Sequence, residues 1–131
     1  MSVARTPPIY FSRHGETDWN AEQRIQGQYD AELNDKGRRQ ADGNGAVLKG
    51  LIARPEEFDF VTSPLKRTRE TMERIRKGMG LDPAVYRTES QILEVHFGDW
   101  QGFTIKEISM MSPELLEARH KDKWNFLPPG E

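Results

Sequence analysis

The chain has 131 residues, one domain's worth, with hydrophobic residues at 35%, charged residues at 31% and no cysteine. Disulfides, thiolate metal sites and cysteine nucleophiles are thereby excluded, and the lean apolar share predicts a core that is small or only partly present. A net charge of −2 leaves no global positive field to hold nucleic acid or an anionic membrane, so any anion site has to be local.

In chain order, Met1 to Pro8 lack the apolar core of a signal peptide, and no apolar stretch approaches the length of a membrane span. The expectation is a soluble, cytoplasmic protein that engages neither nucleic acid nor membrane. Ile9 to Ser12 read as a short strand that ends on Arg13-His14-Gly15-Glu16-Thr17. An arginine there neutralises an incoming anion and a glycine lets backbone approach closely, so the histidine is placed to attack phosphorus. An isolated His-Gly pair more often just ends a strand, and the chemical reading rests on the segments that follow.

Gly15 to Leu33 are polar and suit a long functional loop. Asn34 then caps a helix predicted over Asp35 to Ile52, with Ala41, Gly45, Leu48 and Ile52 on its inner face and Lys36, Arg39 and Lys49 outside. Gly43 and Gly45 are expected to allow close packing on a sheet. Phe58 to Thr62 form a second strand, and Ser63-Pro64 supply an N-cap and a first-turn proline for a helix running to about Lys77. Leu65, Thr68, Met72 and Ile75 share its inner face. The strand-helix alternation predicts the α/β class, a mostly parallel sheet flanked by helices. Ala84 to Thr88 read as a further strand and Ile92 to Phe97 as a loop or strand edge. Thr104 and Glu107 match a capping box, and Ser112-Pro113 open a last helical stretch.

Ligands in such sheets bind beyond the carboxyl ends of the strands, which brings Arg13-His14 and the start of the helix after Ser63-Pro64 to one crevice. Arg67, one turn into that helix, would by itself read as a surface charge; beside His14 it reads as an anion ligand. Glu94 lies among apolar and aromatic residues, surroundings that favour a protonated carboxyl able to serve a leaving group. The alternative for Glu94 is a loop carboxylate satisfied by a neighbouring N–H.

Taken together, Arg13-His14-Gly15-Glu16-Thr17 with Trp19-Asn20, Gln26-Gly27, Thr62-Ser63-Pro64-Leu65-Lys66-Arg67-Thr68, and Leu93-Glu94 with Phe97-Gly98-Asp99-Trp100-Gln101-Gly102 resemble the histidine phosphatase superfamily, which includes phosphoglycerate mutases. The resemblance covers nearly all of the chain from Tyr10 onward. It implies that His14 is the nucleophile and forms a phosphohistidine, that Glu94 is the acid and then the base, and that Arg13, Asn20 and Arg67 bind the phosphoryl oxygens. Thr17, Gln26 and Gly27 would face the substrate, a small phosphorylated metabolite. No metal and no cofactor are called for. A hydrogen bond from the other ring nitrogen of His14 to a backbone carbonyl would fix the neutral tautomer that attacks.

Members of that family carry a second catalytic histidine, followed by glycine, after a later strand. His96 sits inside the glutamate motif and His120 in a charged run, and neither fits that role. Residues 1–131 are therefore expected to be a single phosphoglycerate mutase-like domain that is incomplete at its C-terminus, and either to belong to a longer polypeptide or to pair an open sheet edge with another copy in a homo-oligomer. The short connection after the glutamate motif favours a phosphatase over a mutase. A phosphate-binding module without turnover is the alternative from another class.

Overall fold

The computed structural model describes residues 5–131. The polar stretch after His14 holds an unexpected element, helix α1 (Asp18–Ala21), closed by a capping box in which Thr17 and Asn20 exchange side-chain and backbone bonds. Helix α2 (Asp35–Leu51) begins where the sequence places it, with the Asn34 side chain accepting from the Gly37 N–H at 2.8 Å. Strand β1 (Val61–Thr62) follows, then helix α3 (Lys66–Gly78). Strand β2 (Arg87–Thr88) pairs with β1 in parallel, Val61 opposite Arg87 and Thr62 opposite Thr88. Helices α4 (Ile105–Met111) and α5 (Pro113–Lys121) complete the order, and the predicted Thr104–Glu107 capping box is present at the start of α4.

The α/β class and the parallel crossover hold, while the strands are shorter than the sequence predicts. Of Phe58 to Thr62 only Val61–Thr62 are strand, and of Ala84 to Thr88 only Arg87–Thr88. Ile9 to Ser12 are not strand at all. Their backbone finds no neighbouring ladder among the described residues, and Ile9 and Phe11 are 88% and 96% exposed. A strand is defined by its partner, so an apolar run without one stays merely extended. The segment is held from its sides: the Asn44 amide donates to Ser12 Oγ at 3.1 Å, and the rings of Tyr10 and Phe58 lie 5.7 Å apart.

Ser63-Pro64 do not cap α3. Its first residue is Lys66, and Leu65 occupies the N-cap without a side-chain bond. Ser63 and Thr68 instead tie the turn together, with the Thr68 hydroxyl 2.8 Å from both Ser63 Oγ and the Ser63 carbonyl. Gly45 does allow close packing, but against α3 rather than a sheet: a Cβ there would lie 2.8 Å from the Ile75 carbonyl oxygen. Gly43 faces open space.

The apolar interior is split. Ile52, Ile75 and Met79 join α2 to α3 with Phe58 and Phe60 packed against them, and Trp100, Ile108 and Leu116 form a second cluster with Ile25 and Phe126. No helix among the described residues is long and apolar enough to cross a membrane.

Candidate active site

His14 is half-buried at the end of the extended segment, and its Nδ1 lies 2.6 Å from the Gly15 carbonyl oxygen. Only a protonated Nδ1 can donate to that carbonyl, so Nε2 is left with its lone pair, the nucleophilic tautomer. Burial pushes the imidazole below its ordinary titration range, and the nearby positive charges of Arg67 and Arg13 push the same way. The Gly15 carbonyl and the Glu94 carboxylate act in the opposite sense. Neutral His14 is thus the form that the surroundings favour.

Gly15 is required for a reason the sequence does not disclose. A Cβ there would collide with the Gly37 carbonyl oxygen, because the His14–Gly15 turn is seated directly on the first turn of α2. The Gly15 N–H donates to Thr71 Oγ1 at 3.0 Å, and that hydroxyl donates to the Arg67 carbonyl at 2.7 Å. Thr71 therefore couples the histidine turn to α3, one helical turn beyond Arg67. Its position four residues after Arg67 is the only signal in the sequence that could have singled it out.

Arg67 is 1% exposed, its positive form disfavoured by burial and supported by Glu94 and Asp30. Nη1 donates to the Tyr29 carbonyl and Nη2 to the Gly27 carbonyl, both at 2.7 Å. Its Nε has no hydrogen-bond partner among the described residues. A buried guanidinium with unspent donors is ready for an anion, since leaving such groups unpaired costs free energy. Arg13 is exposed, as expected of a residue at the mouth of the site.

Thr17, expected to face substrate, is fully buried. Its hydroxyl is engaged with Asn20 Oδ1, the Asn20 N–H and the Gln26 side chain, so it braces those amides and has no free face for a ligand. Asn20 Oδ1 also accepts from the Thr17 N–H at 3.0 Å, which leaves the Asn20 amino group as the end free to donate to an anion. Gln26 and Gly27 are buried beneath the loop, the latter with its carbonyl bound by Arg67.

Glu94 departs from expectation. It is exposed, as is Val95, so the apolar enclosure predicted around its carboxyl is absent; Oε1 accepts from the Val95 N–H at 2.8 Å, the local geometry of the alternative reading. Its negative charge favours the protonated form of His14 and the charged form of Arg67. His96 Nδ1 accepts from the Gly98 N–H at 2.8 Å and shapes the glutamate loop, and His120 is exposed on α5. Neither stands as a second catalytic histidine. A half-buried histidine with Nδ1 held by a backbone carbonyl, a buried arginine, an exposed arginine, an amide and a carboxylate are groups whose chemistry suits an anion such as a phosphoryl group.

The family model described as "Histidine phosphatase superfamily (branch 1)" matches residues 9–131, and the chain belongs to that superfamily. Among its relatives, phosphoglycerate mutase-like protein 4 of Arabidopsis thaliana is 38% identical over 122 residues, covering 93% of this chain and 51% of that protein. Glucosyl-3-phosphoglycerate phosphatase of Mycobacterium tuberculosis is 38% identical over 118 residues, covering 90% of this chain and 50% of that protein. The solved structure of a mycobacterial glucosyl-3-phosphoglycerate phosphatase complexed with VO3 superposes with a TM-score of 0.71 at 36% identity, covering 83% of this chain and 49% of the other. The chain spans about half the length of the curated relatives it matches.

Proposed function

We propose that His14 carries phosphoryl groups from a small phosphomonoester metabolite to water. The observation that supports this most directly is the Nδ1 contact with the Gly15 carbonyl, which frees Nε2 beside a buried arginine with unspent donors. In the first step the Nε2 lone pair attacks phosphorus, the bond to the leaving oxygen breaks, and Glu94 hands that oxygen a proton. In the second, Glu94 takes a proton from water, the water oxygen bonds to phosphorus, and the N–P bond breaks to regenerate neutral His14. Arg67, Arg13 and the Asn20 amino group stabilise the equatorial oxygens, where fixed positive charge is most effective.

The phosphatase reading is supported by the short connection after the glutamate motif and agrees with the name of the mycobacterial relative. The protein given a labelled phosphomonoester should form an acid-labile, base-stable adduct on His14, lost in His14→Ala, and should release inorganic phosphate. Label on a serine would sink the phosphohistidine. Return of label to a second hydroxyl of the substrate would indicate a mutase, and phosphate-analogue binding without turnover a binding module.

A further inference from the structure

Glu94 is exposed on a loop, a poor situation for a group that must meet a leaving oxygen within hydrogen-bond distance. Two glutamines outside the motif's charged residues address this. The side chain of Gln101 turns back across its own loop, and its Oε1 accepts from the Gln28 N–H at 3.0 Å and the Phe97 N–H at 3.3 Å. Gln28 reaches the other way, with Nε2 donating to the Glu94 carbonyl at 3.0 Å. The amide ends are set by the partners, because two N–H donors demand an oxygen and a carbonyl demands a nitrogen.

Gly27 makes the interlock possible. It has φ 55°, and a Cβ there would collide with Gln101 Oε1 and lie 3.1 Å from the Phe97 nitrogen. On its opposite side the same loop is bolted to Arg67 through the Gly27 and Tyr29 carbonyls. Residues 27–29 thus lie between the phosphate-binding arginine and the backbone of Glu94.

We propose that Gln101 and Gln28 are positioning residues that lace the glutamate loop to the arginine-bound 27–29 loop and so hold Glu94 at the leaving oxygen. This rests on the phosphohistidine reading. The two positions have opposite charge requirements. At position 101 a carboxylate accepts the same two N–H groups, whereas at position 28 a carboxylate would face the Glu94 carbonyl with no proton to donate.

The test compares an alkyl and an aryl phosphate in full-length protein, since only the alkyl leaving group depends strongly on an acid, with Glu94→Gln as the reference. Gln101→Met and Gln28→Glu should lower alkyl kcat/KM about tenfold, part of what misplacing a catalytic group can cost, and leave the aryl value nearly intact. Gln101→Glu should restore the alkyl rate, and vanadate affinity, which reports His14 and Arg67, should be the same in all three. Equal losses on both substrates, no rescue by Gln101→Glu, or alkyl rates unchanged in Gln101→Met overturn the lacing while Glu94→Gln keeps its own selective defect. A wild-type protein that forms no phosphohistidine overturns the underlying reading as well, and the two failures are distinct.

Discussion

At the scale of single residues, the sequence motif points to His14 and Arg67, and Thr71 links their turns through the Gly15 N–H and the Arg67 carbonyl, although the strand expected before His14 is absent. The positions of Thr71 and Gln28 carry no local signature, since they act on chain 56 and 66 residues away, and Gln101, though part of the Phe97–Gly102 motif, gives no sign in sequence of its bond to the Gln28 N–H 73 residues away. Glu94 was misread for a related reason: apolar neighbours in sequence predict an apolar pocket only when the loop folds back over the carboxyl, and here Val95 points outward at 60% exposure. The lowered His14 pKa has a direct consequence. A group whose folded value lies beneath its unfolded 6.5 is bound by protons less tightly when folded, so protonation favours the unfolded chain. Stability contributed by neutral His14 is present above pH 6.5 and lost as pH falls from there toward the folded value. The acid limb of phosphoenzyme formation is therefore expected below pH 6.5, and His14 resonances followed by NMR should titrate there; a midpoint at or above 6.5 would contradict it. Removing the Arg67 charge should raise that midpoint. Arg67→Ala should also cost about a hundredfold in rate, as loss of a transition-state donor does. Arg69→Ala should be nearly silent, because Arg69 is exposed and its side chain hydrogen-bonds just the Tyr86 hydroxyl, at 3.3 Å, among the described residues. Comparable damage from both would mean that the wrong face of α3 has been assigned to the phosphate.

At the scale of elements, helices were more legible than strands. Helix α2 announces itself by its Asn34 cap and α4 by the Thr104–Glu107 pair, signals that lie within a few residues of the structure they make. The strand expected at Ile9 to Ser12 has no such local determinant. The glycines of α2 show how context outweighs type. Gly37 cannot take a side chain, since its Cβ would collide with the Glu16 carbonyl oxygen, and relief would require the backbone at residues 15–16 to move. Gly43, six residues on, has nothing within 4 Å. Gly43→Ala should therefore stabilise the protein by roughly 0.5–1 kcal/mol through helix propensity alone, while Gly37→Ala should destabilise it and impair phosphoenzyme formation. Denaturant titration of the two variants decides it, and a Gly37→Ala protein as stable as Gly43→Ala would mean that the turn is not seated on α2 as described.

At the scale of the whole molecule, the limiting quantity is surface. The chain exposes 9252 Å². A folded monomer of 15.1 kDa is expected to expose about 7,100 Å². The excess, roughly 2,100 Å², is the size of a substantial protein interface. Part of it lies where Ile9 and Phe11 stand in solvent beside His14, and the sheet of β1 and β2 has a single ladder of two residue pairs. A parallel sheet is normally covered on both faces with its strands paired, and two separate apolar clusters do not replace that cover. The segment that leads into His14 thus has no backbone partner from Ile9 to Ser12 among the described residues, and it is held by the Asn44–Ser12 hydrogen bond, the Tyr10–Phe58 contact and the Gly15–Thr71 hydrogen bond. Residues 1–131 expressed by themselves are accordingly expected to bind a hydrophobic dye, to self-associate or unfold at low denaturant, and to hydrolyse an aryl phosphate poorly. The aryl substrate is the informative one, because it makes little demand on Glu94 and so reports whether His14 and Arg67 remain aligned. Measuring oligomeric state, dye binding and aryl phosphatase rate on this polypeptide over a range of concentrations separates the outcomes. Full activity in a dye-silent monomer would show that the exposed segment needs no partner; activity that rises with concentration would show that a second copy supplies one.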